Sequence, residues 1–145
     1  MDGKGIVLVR DRYAYLLKHA RERLGTILTE VFEPFDISGR ELAVLTVIAE
    51  GHSPSQLEAA QRLSIDRTTM VAMIDGLEAK GLVERRPDAA DRRRNIVALT
   101  ETGMRTMHGA SAATDAAEQE FLAPLTGRDG DRLRKMLQAV ISAED

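Results

Sequence analysis

Apolar residues recur at Tyr13, Leu16, Leu17, Ala20, Leu24, Ile27, Leu28 and Val31, a one-sided stripe with helical spacing that stops near Pro34. This pattern predicts a long first helix. Ser38-Gly-Arg-Glu41 then reads as a capping box ahead of Leu42, Leu45, Ile48 and Ala49, and Gly51 offers a left-handed stop. Ser53-Pro-Ser-Gln56 repeats the box with proline at the first helical position, followed by a short helix through Leu57, Ala60 and Leu63. Across the turn Leu63-Ser-Ile65, Asp66 caps a further helix whose inner face is Met70, Met73, Ile74 and Leu77, ended by Lys80-Gly81. Two helices so joined form a helix-turn-helix candidate.

After Gly81 the period shortens to two extended runs, Leu82–Arg86 and Asn95–Leu99, around the polar loop PDAADRRR. Thr100-Glu-Thr-Gly opens an alanine-rich helix to about Phe121, with breaks at Pro124 and Gly127. A last helix carries Leu133, Met136, Leu137, Val140 and Ile141. The order predicts a mainly α fold, a winged helix-turn-helix over about 37–100 flanked by outer helices at about 6–35 and 101–145 in a single domain. Each outer helix has an apolar stripe that a small winged domain alone could not cover. Burial against a second copy would cover both, which predicts a symmetric homodimer.

Composition narrows the function classes. With no cysteine, disulfides, thiolate metal sites and thiol redox sensing are excluded. No apolar run is long enough for a membrane span, and IVLV at 6–9 is too short for a signal-peptide core, so a cytoplasmic protein without membrane contact is expected. His19, His52 and His108 fall on separate elements with no metal-ligand spacing, and the methionines read as core filler. There is no phosphate-binding GxxxxGK[ST] and no recognisable Ser–His–carboxylate set, so neither catalysis nor a cofactor is expected.

The charge distribution is uneven. Residues 85–94 hold five arginines against Asp88 and Asp91, about +3, whereas the whole chain is −3, leaving about −6 elsewhere. An acidic chain thus concentrates cations on one hairpin loop.

The run from Ser38 to Gly103 resembles the MarR family of bacterial transcription regulators. The matching segments are Ser53-Pro-Ser-Gln-Leu57, Asp66 to Glu78, Lys80-Gly-Leu-Val-Glu-Arg85, and Asp88-Ala-Ala-Asp-Arg-Arg-Arg94 running into Leu99-Thr-Glu-Thr-Gly103. The wing pattern, an acid, then DRR, then LTxxG, is the specific part. The resemblance implies a homodimer that places two recognition helices in successive major grooves of double-stranded DNA, at half-sites roughly 34 Å apart, with each wing in a flanking minor groove. It implies a regulator, a repressor more often than an activator, acting on a pseudo-palindromic operator. A winged-helix protein-interaction module without DNA binding is the alternative, since fold does not fix function.

On the family's pattern, Arg93 enters the minor groove, Arg92 and Arg94 serve as phosphate partners or substitutes, and Asp91 orients the cluster by ion pairing. Arginine suits that place because its planar cation fits a narrow, negative groove or forks onto phosphate. Arg67, Thr68 and Thr69 lie in the first turn of the recognition helix, where base edges and phosphates are met. Ser55 stands at a helix start that could face phosphate, whereas capping alone explains Ser38. The sequence departs from many relatives in having Ala72 and Gly76 where they carry arginines, which reduces the charged contacts expected in the major groove. A small-molecule effector is implied by resemblance only; Tyr13, Tyr15, Phe32 or Phe35, with Arg12 or Arg23, are the residues that could line its pocket.

Overall fold

The computed structural model describes residues 6–50 and 56–144, with side chains for 6–50 and 58–143. Its helices and strands are α1 (Tyr13–Phe32), α2 (Gly39–Ala49), α3 (Gln56–Leu63), α4 (Arg67–Ala79), β1 (Val83–Pro87), β2 (Asn95–Leu99), α5 (Glu101–Leu122) and α6 (Asp129–Ile141). The mainly α, winged fold expected from the periodicity is the one observed. The stop at Gly51, and Ser53, Pro54 and Ser55 of the second capping box, lie outside the described residues. By packing, residues 28–114 make one compact unit, and residues 1–27 with 115–145 another.

Local chemistry sets the element boundaries in the unit 28–114. Ser38 Oγ accepts from Glu41 N at 3.2 Å and Glu41 Oε2 accepts from Ser38 N at 2.7 Å, so both halves of the α2 capping box are made. α3 ends at Ser64, which takes a left-handed backbone (φ 52°) while Ile65 N donates to Ala60 O at 3.0 Å. The chain is thereby redirected into Asp66, the cap of α4. At the far end of α4, Gly81 (φ 72°) supplies the left-handed residue, and Leu82 N donates to Leu77 O at 3.0 Å.

The core of this unit collects one face from each element. Met70, Ile74 and Leu77 of α4, spaced i, i+4, i+7, are fully enclosed with Val44 and Leu45 of α2 and Val83 and Val97 of the hairpin. Met73 is only partly buried at the edge of the cluster. Burying each such side chain contributes about 1.5–3 kcal/mol before conformational entropy is subtracted. β1 and β2 pair antiparallel, Val83 opposite Leu99 and Pro87 opposite Asn95. β1 begins one residue later than its apolar run because Leu82 still belongs to the helix stop, and it extends to Pro87 at the strand end, where proline is tolerated.

In the other unit, the stripes read from sequence are turned outward. Tyr13 and Leu17 of α1, and Met136, Val140 and Ile141 of α6, are among the exposed large apolar residues. Arg23 donates from Nη1 to Phe121 O at 3.0 Å, and its guanidinium carbon lies 5.4 Å from the Phe121 ring centroid. No described helix is long and apolar enough to cross a membrane.

Candidate nucleic-acid interface

α4 presents its N-terminal turn outward because its inner face is consumed by Met70, Ile74 and Leu77. Arg67 and Thr68 are exposed there, and Arg67 has no side-chain partner among the described residues. Thr69 is half-buried and committed to the cap: its N–H donates to Asp66 Oδ1 at 2.9 Å and its hydroxyl to Asp66 Oδ2 at 2.5 Å. Those two bonds hold the Asp66 carboxyl below its ordinary pKa. The Thr69 hydroxyl can therefore accept from a ligand, its proton being spent. Further along, Ala72 is exposed, and a side chain at Gly76 would meet nothing within 4 Å. The outer face of α4 carries no bulky or charged side chain at these two positions.

The wing tip is ordered by backbone bonds. Asp88 N donates to Arg94 O at 2.8 Å and Arg94 N to Asp91 O at 3.0 Å, which closes the loop neck. Inside it, the Asp88 and Asp91 carboxylates accept from the N–H of Ala90 (2.9 Å) and Arg93 (3.0 Å), two side-chain turns in series. Asp91 thus organises the cluster through the backbone of Arg93, not through the ion pair anticipated from sequence, because a carboxylate two residues back reaches the N–H first. Arg92 and Arg93 are exposed with no side-chain partner among the described residues. Arg94 differs: its Nη2 is paired with Glu58 of α3.

Two further features brace the hairpin. Arg85 of β1 reaches back to α4, with Nη2 2.5 Å from Asp75 Oδ1 and Nη1 2.8 Å from Glu78 Oε1, while its N–H donates to Glu78 Oε2. The LTxxG segment is a joint. Thr100 Oγ1 donates to Gly81 O at 2.6 Å and accepts from Gly103 N at 2.9 Å, so one hydroxyl ties the end of α4 to the start of α5. A Cβ at Gly103 would stand 1.8 Å from Leu82 O, so only glycine fits that crossing.

The sequence does not single out Glu58, Asp75 or Glu78 as partners of the wing arginines Arg94 and Arg85. Glu58 had a faint signal, being the one acid in α3. Among the described residues, no group of three or more His, Asp or Glu side chains could hold a metal. Of the residues considered for an effector pocket, Phe32 lines an open cavity of about 530 Å³ with Glu33, Asp36, Glu41 and Lys80. Arg23 instead stacks on Phe121, and Tyr13 is exposed. Ser55 is outside the described residues.

Residues 35–94 match the MarR family. The transcriptional regulator HosA of Escherichia coli O111:H- is 28% identical over 108 residues, covering 74% of this chain and 80% of HosA. Among solved structures, the transcriptional repressor CouR bound to a 23-mer DNA duplex superposes with a TM-score of 0.81 at 29% identity, over 94% of this chain and 99% of that one. CouR from Rhodococcus jostii RHA1 bound to p-coumaroyl-CoA gives 0.79 at 26% identity, over 94% and 96%.

Proposed function

The chain belongs to the MarR family, and from that premise we propose that it is a sequence-specific DNA-binding transcriptional regulator. It acts as a homodimeric repressor on a pseudo-palindromic operator and responds to a small-molecule effector. The family is one of transcription regulators and not an enzyme class, and we assign the chain no catalytic role. Residues of about 37–100 form the DNA-binding module. Those of about 6–35 and 101–145, where α1 and α6 leave large apolar residues exposed, form the dimerisation region, and the protein works in the cytoplasm beside its DNA.

The observation that carries this reading is the placement of cations that have no side-chain partner among the described residues. Arg67 at the start of α4 and Arg92 and Arg93 at the wing tip project from an otherwise acidic chain. Arg93 is assigned to the minor groove and Arg92 to a flanking phosphate, while Arg67, Thr68 and Thr69 meet base edges and phosphates in the major groove. Ser55 is retained as a phosphate contact. The negative remainder does not oppose this, because charges farther than about 8 Å are largely screened at physiological salt. With Ala72 and Gly76 on the outer face of α4, readout leans on close approach and apolar contact with thymine methyls more than on charge.

The test is Arg93→Ala on a palindromic duplex bound by the unsubstituted protein. A loss of about 1–3 kcal/mol is expected while sedimentation still shows the dimer. Unchanged affinity would remove Arg93 from the interface.

A further inference from the structure

We propose that Arg94 is a positioning residue and not a DNA contact: paired with Glu58, it fixes the wing loop to the helix-turn-helix so that Arg92 and Arg93 are presented at a set place. This rests on the DNA-binding reading above and assigns different tasks to three adjacent arginines.

Three observations converge on it. Of the three side chains, Arg94 alone has a carboxylate partner among the described residues, and that partner lies 36 positions away on α3. The backbone of Arg94 is also the loop neck, since its N–H and its carbonyl each close a bond across the loop, to Asp91 and from Asp88. A tether at Arg94 therefore constrains the whole tip and not one side chain. Finally, the opposite strand is tied independently: Arg85 of β1 holds Asp75 and Glu78 of α4. β1 is anchored to the recognition helix and the end of the loop, at Arg94, to the helix before it, leaving Arg92 and Arg93 between two fixed points.

Charge gives the idea a distinctive sign. Glu58 and Arg94 are each 46% exposed, so their pair biases the loop by about fivefold at most and does not lock it. A carboxylate close to a DNA-binding surface repels phosphate, so removing Glu58 should strengthen binding unless the residue earns its place by holding Arg94.

The experiment uses the duplex that the unsubstituted protein enriches from a random-sequence library, with Glu58→Gln, Arg94→Ala and the double variant. Glu58→Gln is expected to weaken binding two- to fivefold. Arg94→Ala should weaken it without changing the slope of log affinity against log salt, and the double variant should bind no worse than Arg94→Ala. Glu58→Gln binding as well or better would overturn the proposal, as would a salt slope reduced by about one in Arg94→Ala, the mark of a lost phosphate contact. Amide exchange in the DNA-free protein judges the tether separately. The N–H groups of Asp88 and Arg94 should exchange faster in Glu58→Gln while that of Ile74 does not, and no acceleration would overturn the tether. Failure of the unsubstituted protein to bind any duplex would refute the DNA-binding reading and the positioning role with it, leaving exchange to report the tether alone.

Discussion

Replacing Gly103 by alanine pits two opposite expectations against each other. Gly103 sits in the first turn of α5, and helix propensity alone would make Gly103→Ala a gain of up to about 1 kcal/mol. The packing says otherwise. The added Cβ would stand 1.8 Å from Leu82 O and 2.8 Å from the Leu82 carbonyl carbon, both backbone atoms that no rotamer change can move. Relief requires displacing the start of α5 or the α4–β1 junction, which Thr100 ties together through Gly81 O and Gly103 N. Overpacking of this kind costs about 1–3 kcal/mol and sometimes more, so a net loss of about 2–3 kcal/mol is expected. For a chain of this length that lowers Tm by roughly 5–10 °C. Gly76→Ala is the matched control, because a Cβ there meets nothing within 4 Å; it should gain about 0.5–1 kcal/mol. Urea unfolding of both variants at one fixed protomer concentration reads the difference, concentration mattering for a dimer. A Gly103→Ala protein as stable as its parent would refute the account of LTxxG as a steric joint.

Ser64 holds a left-handed backbone without being glycine, which costs about 1 kcal/mol, so Ser64→Gly should raise stability by about 0.5–1 kcal/mol in the same unfolding assay. Asp66 titrates below its ordinary value because Thr69 bonds its charged form. A depressed folded pKa adds stability that is present above the unfolded value near 3.9 and is lost as pH falls through the folded one. Asp66→Asn should therefore be less stable than the parent at pH 7, and the gap should narrow below about pH 4 in parallel thermal melts.

Much of the fold could be read in the chain because its signals are local. The capping box at Ser38 and Glu41, the Asp66 cap and the inner face Met70, Ile74 and Leu77 are each set by residues within two turns of one another. The cation cluster of the wing was equally plain. What stayed hidden depends on groups distant in sequence that meet only in the fold. Arg92, Arg93 and Arg94 are alike as letters, and the position of Glu58 on α3 and the backbone bonds of the loop neck separate the last from the other two. Arg85 acquires its brace because the hairpin folds back beside Asp75 and Glu78. The glycine of LTxxG is recognisable as a motif, but its cause, a carbonyl of the α4–β1 junction pressed against α5, is a tertiary contact. The role of Asp91 differs from the ion pair its charge suggests for a smaller reason: a nearby N–H competes with a guanidinium for the same carboxylate and needs less side-chain ordering to win.

The central claim is that this acidic chain binds DNA through a few well-placed cations. Selection of bound duplexes from a random-sequence library, repeated at two salt concentrations, tests it most directly. Enrichment of a palindrome with half-sites about one helical turn apart, retained less strongly at the higher salt, is the expected result. No enriched sequence at either concentration, from a folded dimeric sample, would contradict it.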